Sequence, residues 1–142
     1  MDGVSVVIPA FNEEDGIEQS VGSVLRVMQE SGIDFELIVV DDGSSDRTGT
    51  LSEAAGARVL SLPENRGYGA AFKAGIGRAK HEIIVITDAD GTYPAESIPI
   101  LLRDLGEYDM VVGARVGKHV AIPLIRRPAK WFLRRLAGLA IW

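Results

Sequence analysis

A chain of 142 residues, 46% apolar and 25% charged with a mean hydropathy of +0.14, has the make-up of one globular domain and not of a disordered tail. It contains no cysteine, which excludes disulfides, thiolate zinc sites, iron–sulfur clusters and cysteine nucleophiles. No basic segment precedes an apolar one at the N-terminus, and no apolar run nears the roughly 18 residues that span a bilayer, so neither a signal peptide nor a membrane span is expected. The net charge of −5 conceals an asymmetry. Residues 1–112 carry all 20 acidic groups and 8 basic ones, a balance of −12, whereas residues 113–142 carry 7 basic groups and no acid, a balance of +7. An acidic body with a basic, aromatic-rich end predicts two surfaces with different partners.

In chain order, Val4–Ile8, Leu37–Val40, Val59–Leu62, Ile83–Thr87 and Met110–Val112 are short, β-branched and almost continuously apolar, as strands buried on both faces of a parallel sheet are. Helical patterns lie between them. Ile17, Val21, Val24, Leu25 and Met28 recur at three- and four-residue spacing. Leu51, Ala54 and Ala55 precede Gly56, a stop signal. Ala70–Ala79 is a small-residue helix in which Gly75 and Gly77 allow close packing. Ile98, Leu101, Leu102 and Leu105 form a stripe that ends at Gly106, with Pro94 and Pro99 blurring its start. This alternation predicts an α/β fold: a three-layer, doubly wound, mostly parallel sheet whose ligands bind at the carboxyl ends of the strands.

Those ends carry Pro9-Ala10-Phe11-Asn12-Glu13-Glu14, Asp41-Asp42-Gly43-Ser44-Ser45-Asp46, Asp88-Ala89-Asp90-Gly91 and Gly113-Ala114-Arg115. Carboxylates crowded on one rim repel one another unless a cation or a donor-rich ligand sits among them. The Asp88-x-Asp90 spacing lets a turn aim two hard oxygen ligands at one divalent ion, although the same tripeptide is common in solvated turns. Asp41 and Asp42 are expected to face the crevice, with Ser45 or Asp46 capping the next helix. Arg66-Gly67-Tyr68-Gly69 lacks the third glycine of a dinucleotide fingerprint and reads as a turn opening a helix. There is no Walker loop and no Gly-x-Ser-x-Gly elbow, and His81 and His119 have no partner pattern.

Taken together, Val6–Glu14, Val40–Asp46, Asn65–Gly69 and Asp88–Gly91, four motifs in order over residues 4–115, resemble the family 2 glycosyltransferases of GT-A fold. The similarity is strongest to the branch that transfers sugars to dolichyl or other polyprenyl phosphates. The resemblance implies inverting transfer of a sugar from a nucleotide-diphosphate donor to a polyprenyl (dolichyl or undecaprenyl) phosphate, assisted by Mg²⁺ or Mn²⁺. It implies that Pro9, Phe11 and Glu13 line the nucleotide pocket and that Val40 and Asp42 touch base and ribose. Asp88 and Asp90 would hold the metal, with Ala89 meeting the nucleotide through its backbone. Arg115 would lie near the diphosphate, completing the catalytic pair with Asp90, and Arg126 would meet the acceptor phosphate. Thr92 stands where close relatives carry a further metal-ligating Gln.

The resemblance further implies a nucleotide-sugar-binding part over 1–115 and a basic amphipathic acceptor or membrane-interface segment over 116–142 of the same domain. The chain resembles an N-terminal portion of such an enzyme, truncated at the C-terminus, whose lone turnover is open and whose uncovered edge invites self-association. Between Pro128 and Trp142, Phe132, Leu133, Leu136, Leu139 and Ala140 can share a helical face flanked by Lys130, Arg134 and Arg135. That pattern suits either an interfacial helix on anionic lipid or a helix packed on the protein's own core. The expected location is peripheral, at the cytoplasmic side of a membrane, with no nucleic-acid partner. A non-catalytic nucleotide-sugar or membrane-surface binding fragment is the alternative. A sugar-phosphate nucleotidyltransferase is disfavoured because its glycine-rich loop after the first strand is absent.

Overall fold

Seven consecutive buried residues, Val4–Ala10, form β1, the strand on which the rest of the fold is built. The computed structural model describes residues 3–114. Residues up to Val111 form the first of two compact units, and the second begins at Val112. β1 pairs in parallel with β2 (Phe35–Asp41) on one side and with β4 (Ile83–Ile86) on the other, and β2 pairs with β3 (Arg58–Ser61), giving the order β3-β2-β1-β4. The chain therefore steps outward from β1 to β3 and then returns across the sheet to β4. The reversal leaves a crevice between the carboxyl ends of β1 and β4, the place where open α/β sheets hold ligands.

Strand alternation sorts the core into two layers. Val4, Val6, Ile8, Leu37 and Val39 pack with Ile17, Val21, Val24 and Met28 of α1 (Ile17–Ser31) and with Ile98 and Leu102 of α4 (Ser97–Arg103). Val7, Ile38 and Val40 point the other way, onto Ala71 of α3 (Tyr68–Ile76). Each fully buried aliphatic side chain in these layers contributes about 2 kcal/mol of transfer free energy. α3 lies very close to the sheet because residue 75 is glycine: a Cβ there would stand 2.5 Å from Val7 Cγ1 and 3.0 Å from Val40 Cγ2. Gly77, by contrast, caps the end of α3. α2 (Thr48–Ala54) ends through Ala55 into Gly56, whose φ of 101° makes it the stop residue its sequence position predicts. Pro99 is accommodated in the first turn of α4, where a missing N–H breaks no helical bond. A 3-10 turn at Asp104–Gly106 follows.

Two expectations need correction. Met110–Val112 forms no strand in the described residues: Met110 is 77% and Val112 72% exposed, and neither joins a ladder. An apolar run becomes a strand only where a neighbour supplies hydrogen bonds, and local pattern carries no information about that neighbour. The residue flanking α2 is Arg47, not Ser45 or Asp46. Asp46 still serves the helix start from one position further out, its carboxylate accepting from the Thr48 amide at 2.9 Å.

Candidate active site

The crevice between β1 and β4 opens into a cavity of about 400 Å³. Pro9, Ala10, Phe11 and Glu13 reach it from the end of β1, and Asp42 from the end of β2. Asn65, Gly67, Tyr68 and Ala71 come from the loop into α3, and Asp88, Ala89 and Asp90 from the end of β4. Exposed Phe11 and Tyr68 give it aromatic surface, while the aspartates and Glu13 make it acidic. The ladder explains the convergence. Ala10 pairs with Asp41, and the Thr87 amide donates to the Val7 carbonyl at 3.3 Å, so the residues that follow these strands leave the sheet side by side.

Asp41 and Asp42 are adjacent but point to opposite faces. Asp41 turns toward α2, accepts from the Ser44 amide at 3.0 Å and is not part of the cavity wall. Asp42, only 3% exposed, accepts from the Arg66 amide at 2.9 Å with one oxygen and from the Gly67 amide at 2.8 Å with the other. It fixes the turn that presents Asn65, Gly67 and Tyr68. The same turn lies tightly against the β2–α2 loop, since a Cβ at Gly43 (φ 71°) would stand 2.5 Å from the Glu64 carbonyl carbon.

The loop carrying Phe11 and Glu13 is held by a lattice to the β2–α2 loop. Asn12 adopts a left-handed φ of 54°, and its side-chain oxygen accepts from the Ser45 amide at 2.9 Å. The Asn12, Glu13 and Glu14 amides donate to Ser44 Oγ, Thr48 Oγ1 and Asp46 Oδ2 at 3.0, 2.8 and 3.1 Å. Burial pushes the Asp46 carboxyl up, but the Thr48 hydroxyl, the Thr48 amide and the Glu14 amide outweigh it and hold it below the ordinary carboxylate range. Strain at Asn12 is thus offset by bonds that aim its neighbours into the cavity.

At the third wall the Tyr68 hydroxyl donates to Asp88 Oδ1 at 3.2 Å, and the Thr92 amide donates to Asp90 Oδ1 at 2.9 Å. Desolvation, then the Asp88 charge, raises the Tyr68 phenol above its ordinary value, so it is a proton donor at neutral pH. Among the described residues no three acidic or histidine side chains form a ready-made metal cage. Two oriented carboxylates on a cavity wall fit an ion such as Mg²⁺ or Mn²⁺, which takes one or two carboxylates and completes its shell with phosphate oxygens and water.

Pro9, Phe11, Glu13, Asp42, Asp88, Ala89 and Asp90 meet around one cavity. Val40 does not: it is 0% exposed, packed between β2 and α3 with Val7, Ile38 and Ala71. Thr92 is exposed and lines no part of this wall. Arg115, Arg126 and the segment 116–142 lie outside the described residues. Tyr68 is a wall residue that sequence reasoning did not single out, as are Ala10, Asn65, Gly67 and Ala71. An aromatic after a glycine turn reads as an ordinary helix start, and only the return of the chain to β4 brings Tyr68 to Asp88.

The Glycosyl transferase family 2 model matches residues 5–139. The undecaprenyl-phosphate 4-deoxy-4-formamido-L-arabinose transferase of Edwardsiella ictaluri is 36% identical over 143 residues, covering 96% of this chain and 41% of its own length. That of Proteus mirabilis is 37% identical over 118 residues, 79% of this chain and 36% of its own. Among solved structures, glucosyl-3-phosphoglycerate synthase from Mycobacterium tuberculosis with Mn²⁺ and UDP-glucose is similar at 34% identity and a TM-score of 0.63, covering 73% of this chain and 39% of that one. Its complex with phosphoglyceric acid matches at 30% identity and a TM-score of 0.69, over 94% and 51%. The chain thus spans about half or less of the relatives it matches, and with its parallel α/β sheet and rim cavity it belongs to glycosyl transferase family 2.

Proposed function

We propose that this chain is the donor-binding portion of an inverting transferase that moves a sugar from a nucleoside diphosphate to a polyprenyl phosphate, with Asp88 and Asp90 holding Mg²⁺ or Mn²⁺. The observation that carries the reading is the cavity at the β1–β4 crevice. There the aspartate pair, an aromatic wall and the Asp42-anchored turn converge. The undecaprenyl-phosphate transferases among the relatives support the acceptor class, and the neighbour holding Mn²⁺ and UDP-glucose supports the donor and the ion.

In this reading Pro9, Phe11 and Glu13 contact the nucleotide, and Asp42 sets the wall against base and ribose. Asp88 and Asp90 face the diphosphate, and the backbone of Ala89 lies against the nucleotide. A divalent ion, when bound, supplies positive charge to the departing nucleoside diphosphate. Arg115 adds to that charge from the segment beyond the described residues, and Arg126 takes the acceptor phosphate. An acceptor phosphate oxygen attacks the anomeric carbon opposite the leaving group. The bond to the diphosphate breaks with its electron pair remaining on the β-phosphate oxygen, which inverts the carbon. Because the acceptor is already ionised, no residue of the chain must remove a proton from it. The division into a donor part, 1–115, and a basic acceptor segment, 116–142, belongs to this proposal. So does a peripheral place on the cytoplasmic side of a membrane; no helix of the described residues is long and apolar enough to cross one.

Calorimetric titration with a panel of nucleoside diphosphates tests the reading. Binding should strengthen at least tenfold in Mn²⁺ over chelator, and Asp90→Ala should remove that gain. Equal affinity in both conditions contradicts it. A binding piece without turnover is the second reading, kept in view because the match covers 41% of the Edwardsiella transferase. Transfer of labelled sugar to polyprenyl phosphate separates the two.

A further inference from the structure

The Asp88–Asp90 turn is held from behind by a helix that contributes nothing to the donor cavity. Ser20, in the first turn of α1 and 7% exposed, donates its hydroxyl to the Ala89 carbonyl at 2.6 Å across 69 residues of sequence. This is an unusual use of a helical serine, because such hydroxyls commonly bond back to the carbonyl four residues earlier. Ser52 does so here, donating to the Thr48 carbonyl at 2.7 Å within α2. Ser20 instead spends its donor on the peptide between the two aspartates. It also closes on the next turn residue: a Cβ at Gly91 would stand 3.5 Å from Ser20 Oγ. Ala89 is itself buried in the α1-side core. On this side lies a second cavity, about 270 Å³, lined by Ser20, Ser23 and Gln19 of α1 together with Asp88, Asp90 and Gly91.

We infer that Ser20 is a positioning residue for the metal-holding pair: by pinning the Ala89 carbonyl it fixes the peptide that sets the relative aim of the Asp88 and Asp90 carboxylates. The inference rests on the assignment of those aspartates to the ion. A peptide free to rotate between two ligands changes the distance between their oxygens, and Mg²⁺ or Mn²⁺ demands a narrow range of metal–oxygen distance. Loss of such an outer contact weakens metal binding about tenfold or more while leaving contacts made by other walls intact.

The experiment measures the affinity of the chain for Mn²⁺ at saturating UDP by electron paramagnetic resonance, and its affinity for UDP in chelator by calorimetry. Ser20→Ala should weaken Mn²⁺ binding about tenfold and leave metal-free UDP binding within about twofold. Ser52→Ala loses a buried serine-to-carbonyl bond of the same kind away from both cavities, and should keep wild-type Mn²⁺ affinity. Ser20→Cys, close in size with a weaker donor, should fall between wild type and Ser20→Ala, and it carries the test if the alanine variant does not fold. Equal Mn²⁺ affinities for the Ser20 and Ser52 variants, or wild-type affinity in Ser20→Cys, overturns the role of Ser20 alone. Wild-type chain that takes up no Mn²⁺ with UDP overturns the metal assignment and this inference together.

Discussion

Replacing Asp42 by alanine should both destabilise the chain and weaken nucleotide binding, and the two effects share one cause. Both carboxylate oxygens accept amides of the loop into α3, from Arg66 at 2.9 Å and Gly67 at 2.8 Å, while the Asp42 amide donates to the Ala10 carbonyl at 2.9 Å. Hydrogen bonds to a charged acceptor are worth about 1.5–3 kcal/mol each. Here the total is discounted, because Arg66 is exposed and the Gly67 amide also reaches Asn65 Oδ1 at 3.1 Å. The expected loss for Asp42→Ala is about 2 kcal/mol. Asp42→Asn keeps one acceptor oxygen but turns an NH₂ toward the second amide, and should lose about half as much. Urea unfolding at pH 7, followed by circular dichroism, gives the stabilities, and titration with UDP in chelator gives the affinity. Because the loop carries Asn65, Gly67 and Tyr68 into the cavity, UDP binding should weaken several-fold even without metal. Unchanged midpoint and affinity in Asp42→Ala would refute the reasoning, and so would Asn being as damaging as Ala.

Two further variants test the framework beneath the site. Gly75→Ala gains about 1 kcal/mol of helix propensity but drives a methyl to 2.5 Å from Val7 Cγ1, so it should lower stability by about 1 kcal/mol net; a rise in the urea midpoint contradicts the close approach of α3. At the opposite edge, burial pushes the Glu36 carboxyl up, but the Ser5 hydroxyl (2.7 Å), the Lys80 amide and the Arg58 guanidinium (3.1 Å) outweigh it and hold it below its ordinary 4.5. A carboxyl depressed in the folded state stabilises above its unfolded pKa, and that stability is lost as pH falls through the folded value. Glu36→Gln should therefore be less stable than wild type at pH 7 by about 1–2 kcal/mol, with the gap closing below about pH 4; a gap unchanged at pH 3 contradicts the ionised network.

What could be read in the sequence follows the range of the interactions involved. β1, α1 and the two-faced burial of the sheet were legible because periodicity in apolar residues is local and the core uses all of it: Ile17, Val21, Val24 and Met28 are each buried as their spacing predicts. The strand-end aspartates were legible as a group, since a parallel α/β order sends every strand end to one rim. Their individual roles were not. Asp41 and Asp42 look equivalent in sequence, yet a period of two sends one toward α2 and the other to the α3 loop. Val40 fell in the resembling motif, but the tight seat of α3, permitted by Gly75, seals it in the core. Tyr68 was legible only as part of a turn motif and Ser20 not at all, because each acts on the Asp88–Asp90 turn across 20 and 69 residues. Met110–Val112 shows the converse, a strand-like run that joins no ladder among the described residues.

The most direct test of the central claim is a crystal of the chain grown with Mn²⁺ and UDP, examined by anomalous scattering at the manganese edge. A metal peak within bonding distance of Asp88 and Asp90 and of the diphosphate oxygens, with the uridine against Phe11 and the Asp42-held turn, is the predicted result. A nucleotide bound elsewhere, or seated in the cavity with the metal bound away from both aspartates, contradicts it.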